Sequence, residues 1–464
     1  MKGAVSIVRL SGAEAVQIAQ QIFQPSGKMR VQQWQPQSHR VHHGLLQDTN
    51  GSAIDEVLLL AMLAPRSYTR EDVVELHTHG GGVCAARALQ ACLAAGARRA
   101  RPGEFTLRAF LNGRLDLSQA EAVAALVNAR TAAAADSALA GMSGGIGAAV
   151  AAMRSDAVNL LAELEARIDF DEDLPPMDAQ LLGRRLAELS EKVSSALDTA
   201  QRGRLLSTGL QVALVGRPNV GKSSLLNALS GSQRAIVTDI PGTTRDIVEA
   251  GAVMEGVPVS LLDTAGVREA GDLVERLGVQ RSRAAAQGAD IVLMIYDAME
   301  GWTEEDGVVF GGLWSSSTAS EDHSTSGGSG TAAAASSARL ESDATVRAAC
   351  RQMVSTSAAS GAGLDDLRAA VVHAAGLPSL NTGETQINPV PSGSGWAVNE
   401  RQAEALLRAR EALERAAQSV QDGLPVDFWT IDVKDALLAL GEVTGSEAGQ
   451  DVLDRVFSTF CIGK

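Results

Sequence analysis

At 464 residues the chain is long enough for about three domains of ordinary size; with 45% hydrophobic but only 3% aromatic residues, their cores rest on Leu, Val and Ala. The 40 basic residues against 55 acidic ones leave a formal net charge of −15, which excludes nucleic-acid affinity built on a broad phosphate-neutralising surface and leaves a local patch or a basic partner. The cysteines Cys84, Cys92, Cys350 and Cys461 show no metal-ligand spacing and point to free thiols in a reducing compartment, no apolar run reaches the roughly 18 residues of a membrane span, and no secretory signal is visible.

The chain enters a strand-like alternation almost at once in "MKGAVSIVRLSG", which raises the expectation that upstream sequence is missing. Up to about residue 112, "AVSIVRL", "EVLLLAML" and "DVVELHTH" are branched-residue runs bounded by turn formers, and they read as strands between helices. From 114 to 208 the pattern is helical, with Leu160, Leu161, Leu164 and Ile168 expected on one apolar face and Asp173, Pro175 and Pro176 breaking the run. From 209 to about 376 strands alternate with helices, the signature of a mostly parallel sheet. Helices return from 396, where Leu406, Leu413 and Val420 recur every seven residues, and Val433, Ala436, Leu437 and Leu440 form a second stripe. Two helical blocks around an α/β block imply one helical domain interrupted by an insertion whose ends lie close together. Residues 315–345 are Ser, Ala and Gly with little to bury, and read as a flexible loop.

The strongest chemical signal is "LQVALVGRPNVGKSSLLNAL". Gly216 to Ser223 fits G-x-x-x-x-G-K-[ST], between an apolar strand at 212–215 and a helix at 223–229. Glycines let the backbone close around phosphate oxygens, and its N–H groups and the helix N-terminus supply positive potential. Lys222 is expected at the β- and γ-phosphates and the Ser223 hydroxyl at Mg²⁺. Further on, "VPVSLLDTAG" ends a strand at Asp263, able to hold Mg²⁺ through water, and Gly266 can offer its N–H to the γ-phosphate. Between them, "TDIPGTTRD" supplies Thr244 for the Mg²⁺ shell. Two loops that order around a γ-phosphate make this a nucleotide-hydrolysing switch domain.

The terminal "FSTFCIGK" leaves three readings open: a frayed end, a prenylation box that Gly463 and Lys464 break, or a tail that carries Cys461 and Lys464 into a site elsewhere. Arg9, inside the apolar run "VSIVRL", calls for a partner such as a carboxylate, or marks an edge strand that discourages aggregation.

Taken together, "GRPNVGKSSLLNALSG", "TDIPGTTRD", "DTAGVRE", "VERLGVQRS", "ARPGEFTLRAFLNGRLDLSQAEAV", "IVRLSG" and "FCIGK" resemble the tRNA-modification GTPases called MnmE or TrmE, over nearly the whole chain. The resemblance implies α/β plus α architecture. An N-terminal α+β folate-binding and dimerisation domain would span 1–113. A helical domain would span 114–208 and 381–464, and a Ras-like P-loop GTPase domain with a mostly parallel sheet would be inserted at 209–380. It implies a homodimer that works with an FAD-dependent partner of the MnmG/GidA type. Together they would add a carboxymethylaminomethyl or aminomethyl group at C5 of a tRNA wobble uridine, with carbon from a tetrahydrofolate derivative. The cofactors implied are GTP, Mg²⁺, K⁺ and that folate, with no membrane.

By the same resemblance the nucleotide site comprises Gly216, Asn219, Val220, Gly221, Lys222, Ser223, Ser224, Thr238, Thr243, Thr244, Asp263, Thr264, Ala265 and Gly266. Ser223 and Thr244 would hold Mg²⁺. Asn219, Thr238, Ile240 and Thr243 would hold K⁺, whose charge offsets that developing in phosphoryl transfer where no arginine finger is evident. Glu275 would position the attacking water. Arg9, Glu75, Arg114 and Lys464 would contact folate, with Arg114 standing where the family often has Lys, and Cys461 would take part in modification.

The chain departs from the family in one respect. Guanine is read there by Asn-Lys-x-Asp at a strand end, and none stands between Asp290 and Ser360. "ADIVLMIYDA" reads as the strand before the gap and "QMVSTSA" as the strand after it, with the Ser/Ala/Gly tract between. Either another segment substitutes, or coding sequence is missing from the chain as written. The tract, and the likeness of "EGWTEED" and "LPVDFWTIDVKDALLALGEVTG" to plastid and cyanobacterial members, point to an organelle, chloroplast or mitochondrion, with bacterial cytoplasm as the alternative. A ribosome-assembly GTPase switch, or a scaffold that lost guanine specificity, are the rival functions.

Overall fold

Alternation of branched residues with polar ones makes Val5–Ser11 the first strand, β1. The computed structural model describes residues 3–26, 35–170, 178–231, 248–263, 288–314, 352–376, 395–460 and 463. β1 pairs antiparallel with β5 (Val73–His79), and β2 (Phe23–Pro25), β3 (Arg40–Gln47) and β4 (Ala53–Met62) complete a five-stranded sheet in the order β1-β5-β4-β3-β2. One face is buried. Val8, Leu10, Val57, Leu59, Val74 and Leu76 pack against Ile18 and Ile22 of the helix Ala15–Ile22 and Ala88 and Cys92 of the helix Gly82–Ala94. The other face carries Val5, Ile7, Val41 and Leu58, all exposed, together with Arg9, Glu75 and His77.

This sheet belongs to a compact unit of three chain segments, residues 1–124, 142–193 and 405–464. Its helical part is built on complementary stripes. Val150, Met153, Ala157, Leu160 and Leu164 are buried on the helix Gly145–Phe170, which packs against Val426–Thr444 with its buried Trp429, Val433, Ala436 and Leu440. Ile168 departs from the apolar face expected of it. It is 45% exposed, because the buried stripe steps by three and four residues from Val150 and leaves that position outside. The last helix, Gln450–Ser458, sets Leu453 and Phe457 against Leu117, Ala120 and Val123.

Gly103 brings the end of the chain to the sheet. It caps the helix Glu104–Leu111 at φ +68, and a Cβ there would lie 2.4 Å from the Phe457 carbonyl oxygen. Only glycine combines that left-handed backbone with so close an approach.

The second unit comprises residues 125–141 and 194–404. In its sheet, β6 (Leu210–Val215) runs parallel to β8 (Val257–Asp263) and to β9 (Ile291–Met294). β7 (Val248–Met254) is antiparallel to β8 through the two-residue turn Glu255-Gly256, both at positive φ as such a hairpin demands. The strand order is β7-β8-β6-β9. The alternation of a half-buried strand is absent from β6, whose interior residues are buried on both faces. Val212 and Leu214 meet the helices Lys222–Gly231 and Leu364–Ala374, and Ala213 and Val215 meet Val292 and Met294. The segments that enter and leave the α/β region touch within this unit, where Val398 N–H donates to Thr199 Oγ1 at 3.2 Å.

The segment 352–357 is not the strand that its branched residues suggest. Val354 packs against the core, but no ladder forms, and among the described residues β9 ends the sheet. A strand needs a neighbour to receive its backbone groups, and among the described residues 352–357 pairs with none. Asp173, Pro175, Pro176 and the tract 315–345 lie outside the described residues.

Candidate functional site

Residues 216–221 form a tight loop between β6 and the helix Lys222–Gly231. Gly216 has φ +157, and a Cβ on it would lie 2.1 Å from the Ile295 carbonyl oxygen. Gly221 has φ +94 with open space where a Cβ would be, and Asn219 also takes a left-handed φ of 64°. These turns bend the backbone into a cradle at the helix N-terminus, the geometry that suits phosphate. Lys222 is 5% exposed, and its Nζ donates to the carbonyl oxygens of Gly216 at 2.7 Å and Arg217 at 2.5 Å. Its ammonium is therefore held at the loop before any anion arrives. Val220 is anchored against the core, while Asn219, Ser223 and Ser224 lie on the exposed side.

The other cation of the loop points elsewhere. Arg217 Nε donates to Asp306 Oδ1 at 2.8 Å and its Nη2 to Glu300 Oε2 at 2.9 Å, with Glu305 Oε2 at 3.7 Å from Nη1.

In the first unit, strand register sets Arg9 opposite Glu75. Arg9 Nε and Nη2 lie 2.8 and 2.7 Å from Glu75 Oε1, and His77 Nε2 lies 3.3 Å from Oε2. Glu75 is buried, so the guanidinium is its compensating charge. The Arg9 guanidinium carbon stands 5.6 Å from the Phe105 ring centroid and 5.9 Å from that of Tyr68, and Arg114 stands 4.8 Å from the same Tyr68 ring. Tyr68 is fixed by a 3.0 Å hydrogen bond between its hydroxyl and Thr106 Oγ1. Arg9 Nη1 also reaches the Gly463 carbonyl at 3.5 Å. Arg9, Phe105 and Gly463 border a cavity of about 850 Å³.

A second polar network supports that wall. Arg108 joins Glu71 and Glu104 at 2.8 Å each, and Ser11 Oγ donates to Glu71 at 2.8 Å. The side-chain hydrogen bond from Arg98, with help from the Arg101 N–H and Arg108, outweighs burial and holds the Glu104 carboxyl down at about 2. Burial raises the Cys92 thiol to about 11, which leaves it an inert core residue.

The structure thus joins Arg9 to Glu75 directly and reaches Arg114 through Tyr68. Cys461, Lys464, Thr238, Ile240, Thr243, Thr244, Thr264, Ala265, Gly266 and Glu275 lie outside the described residues, and Asp263 is described only as the last residue of β8.

Two family profiles divide the chain: that of the GTP-binding protein TrmE N-terminus matches residues 1–114, and that of the MnmE helical domain matches residues 117–461. A tRNA modification GTPase MnmE of Synechococcus elongatus is 49% identical over 464 residues, covering all of this chain and 96% of the relative. The MnmE of a Cyanothece species is 48% identical over 469 residues, with the same coverage. The chain belongs to the MnmE/TrmE family. Among solved structures, Era of Aquifex aeolicus bound to GDP·AlF4⁻ is 24% identical over 44% of this chain and 66% of that one, at a TM-score of 0.26. Within this MnmE/TrmE chain, Tyr68 and Phe105 escaped the sequence reading. Their one signal was an aromatic in "SYTRED" and another in "PGEFTL", in a chain with few aromatics.

Proposed function

We propose that this chain is a potassium-dependent GTPase that acts in tRNA wobble-uridine modification. It would work as a homodimer with an FAD-dependent partner of the MnmG/GidA type, and it would take carbon from a tetrahydrofolate derivative. The chain is a GTP hydrolase of its family. The observation that carries the nucleotide reading is Lys222, seated on the carbonyls of Gly216 and Arg217 at the N-terminus of the helix that follows the loop.

Lys222 and the backbone N–H groups at the helix start bind and orient the phosphates. Ser223 and Thr244 would hold Mg²⁺, with Asp263 acting through water. Asn219, Thr238, Ile240 and Thr243 would hold K⁺, and the cations would supply positive charge to offset that developing in phosphoryl transfer. The need for K⁺ is supported by Arg217. It is the loop's one cation besides Lys222, and it is committed to carboxylates rather than to phosphate. Glu275 positions the attacking water.

Arg9, Glu75 and Arg114 would hold the folate, joined by Lys464, with Cys461 at hand for the modification. This reading is supported by the approach of the Gly463 carbonyl to Arg9 Nη1 at 3.5 Å. Exposed Val5, Ile7, Val41 and Leu58 on the open sheet face suit burial against a second copy. No described helix is long and apolar enough to cross a membrane; the Ser/Ala/Gly tract at 315–345 supports an organelle, chloroplast or mitochondrion, with bacterial cytoplasm as the alternative.

Hydrolysis rates in potassium and in sodium test the core of this reading. Potassium should raise the GTPase rate at least about tenfold, and Glu275→Ala should remove most of it while nucleotide affinity persists. Equal rates in the two salts would remove K⁺ from the site.

A further inference from the structure

We infer that Arg217 is a positioning residue for the nucleotide phosphates: through Asp306 it pins the phosphate loop to the start of the helix Glu304–Trp314 and thereby presets Lys222. The inference rests on the nucleotide reading of the loop.

The arginine stands directly after Gly216, where the backbone turns away from β6, and its side chain is only 15% exposed. Its partner Asp306 is wholly buried. A buried carboxylate needs a cation and a full set of donors. Asp306 has both, since Oδ1 takes Arg217 Nε at 2.8 Å and Oδ2 takes the Thr303 N–H at 3.0 Å and hydroxyl at 2.8 Å. Thr303 and Asp306 thereby fix the start of the helix Glu304–Trp314. Trp302 fastens the same turn to the core, with its ring 5.5 Å from Tyr296 and 6.2 Å from Phe310. The anchor to which Arg217 is tied is therefore rigid.

The tie passes on to the phosphate-binding lysine through the backbone. The carbonyl of Arg217 itself accepts from Lys222 Nζ at 2.5 Å. The side chain of Arg217 thus fixes one of the two carbonyls that aim the ammonium. On the other side of the loop, Gly216 lies under the Ile295 carbonyl, one residue beyond β9. Side-chain and backbone contacts together hold the loop to the β9 exit at two successive residues. A cradle held in shape before binding loses less entropy when phosphate arrives. The guanidinium meanwhile stays on carboxylates and off the phosphates.

The test uses the full chain, with methylanthraniloyl-GDP for affinity and GTP for turnover. Arg217→Ala should speed methylanthraniloyl-GDP dissociation and raise the GTP KM about tenfold, the scale of a lost charge-assisted hydrogen bond, and should lower kcat far less. Asp306→Asn should act in the same direction by about threefold. The double variant should be no worse than Arg217→Ala alone, because both remove one link. Arg217→Lys should recover part of the affinity, since the charge returns without the fork geometry. If Arg217→Ala does not fold, the double variant is read in its place, because it leaves no buried charge unpaired. Three results overturn the inference: an unchanged KM, a fall in kcat at constant KM, and additive losses in the double variant. The second would make the guanidinium a phosphate ligand in hydrolysis. Failure of the unmodified chain to bind methylanthraniloyl-GDP would strike the nucleotide reading instead.

Discussion

In the phosphate loop, eight consecutive residues supply the cradle, and most of what they offer is backbone. Around Arg9, the contacts come from positions 68, 75, 105 and 463, and all but the last are side chains. The loop can be specified by a short motif, because glycines and a helix start carry its geometry wherever a parallel strand precedes them. The arginine cluster exists only once β1 and β5 are in register and the last helix has docked. One site depends chiefly on its own turn, with Asp306 as its distant support. For the other, distant changes matter and each local substitution removes one partner among several.

That contrast is sharpest at Gly216. Gly216→Ala would press a methyl group into the Ile295 carbonyl, at a φ that L residues rarely adopt. The closest atoms belong to the Ile295 backbone, which is not free to move aside as a side chain would be. We expect nucleotide affinity to fall about 100-fold or more and the unit to lose more than about 2 kcal/mol of stability. Equilibrium binding of methylanthraniloyl-GDP and thermal unfolding measure the two. Wild-type affinity in this variant would mean that the cradle reshapes freely and that its backbone does not limit phosphate binding.

The arginine cluster should give a smaller response. Glu75→Gln keeps the shape but removes the charge facing Arg9, whose guanidinium then retains only the two rings and the Gly463 carbonyl. Tetrahydrofolate affinity should drop about tenfold and unfolding should cost about 2 kcal/mol less, within the range of a lost charge-assisted bond. Titration with tetrahydrofolate and denaturant unfolding report both. GTP hydrolysis should be untouched, because the residue belongs to the other compact unit. Unchanged folate affinity would remove Glu75 from the proposed site, and a matching loss of GTP turnover would break the separation of the two sites.

What could be read in advance follows the same division. β1, β4, β5, β6, β8 and the helix after the loop were legible from branched or apolar runs and from G-x-x-x-x-G-K-S, since each depends on its own residues. The need of Arg9 for a carboxylate was legible as well, because an unpaired guanidinium in an apolar strand is costly. Tyr68 and Phe105 were not, because stacking on a guanidinium leaves no spacing rule in sequence. Ile168 misled because four apolar residues at helical spacing fit two neighbouring faces equally well. The segment 352–357 misled for a deeper reason: Val354 and Thr356 favour a strand, but strand formation is decided by a neighbour, which the residues themselves do not encode.

The lack of such a neighbour among the described residues bears on the last prediction, which concerns the smallest difference expected. β9 closes the sheet among the described residues, and no Asn-Lys-x-Asp stands between Asp290 and Ser360. A buried Asp paired with guanine rejects adenine because the wrong base leaves its charge unsatisfied, and polar discrimination of that kind reaches about 10⁴ or more. The phosphate loop reads only what GTP and ATP share. The chain as written should therefore bind the two triphosphates within about tenfold of each other, as measured by competition against methylanthraniloyl-GDP. Hydrogen exchange along residues 291–296 should also be fast, because an edge strand opens without breaking a second ladder. A preference for GTP above about 1,000-fold, with slow exchange in the same residues, would mean that another segment both pairs with β9 and reads the base. The two sites would then be alike after all, each assembled from distant parts of the chain.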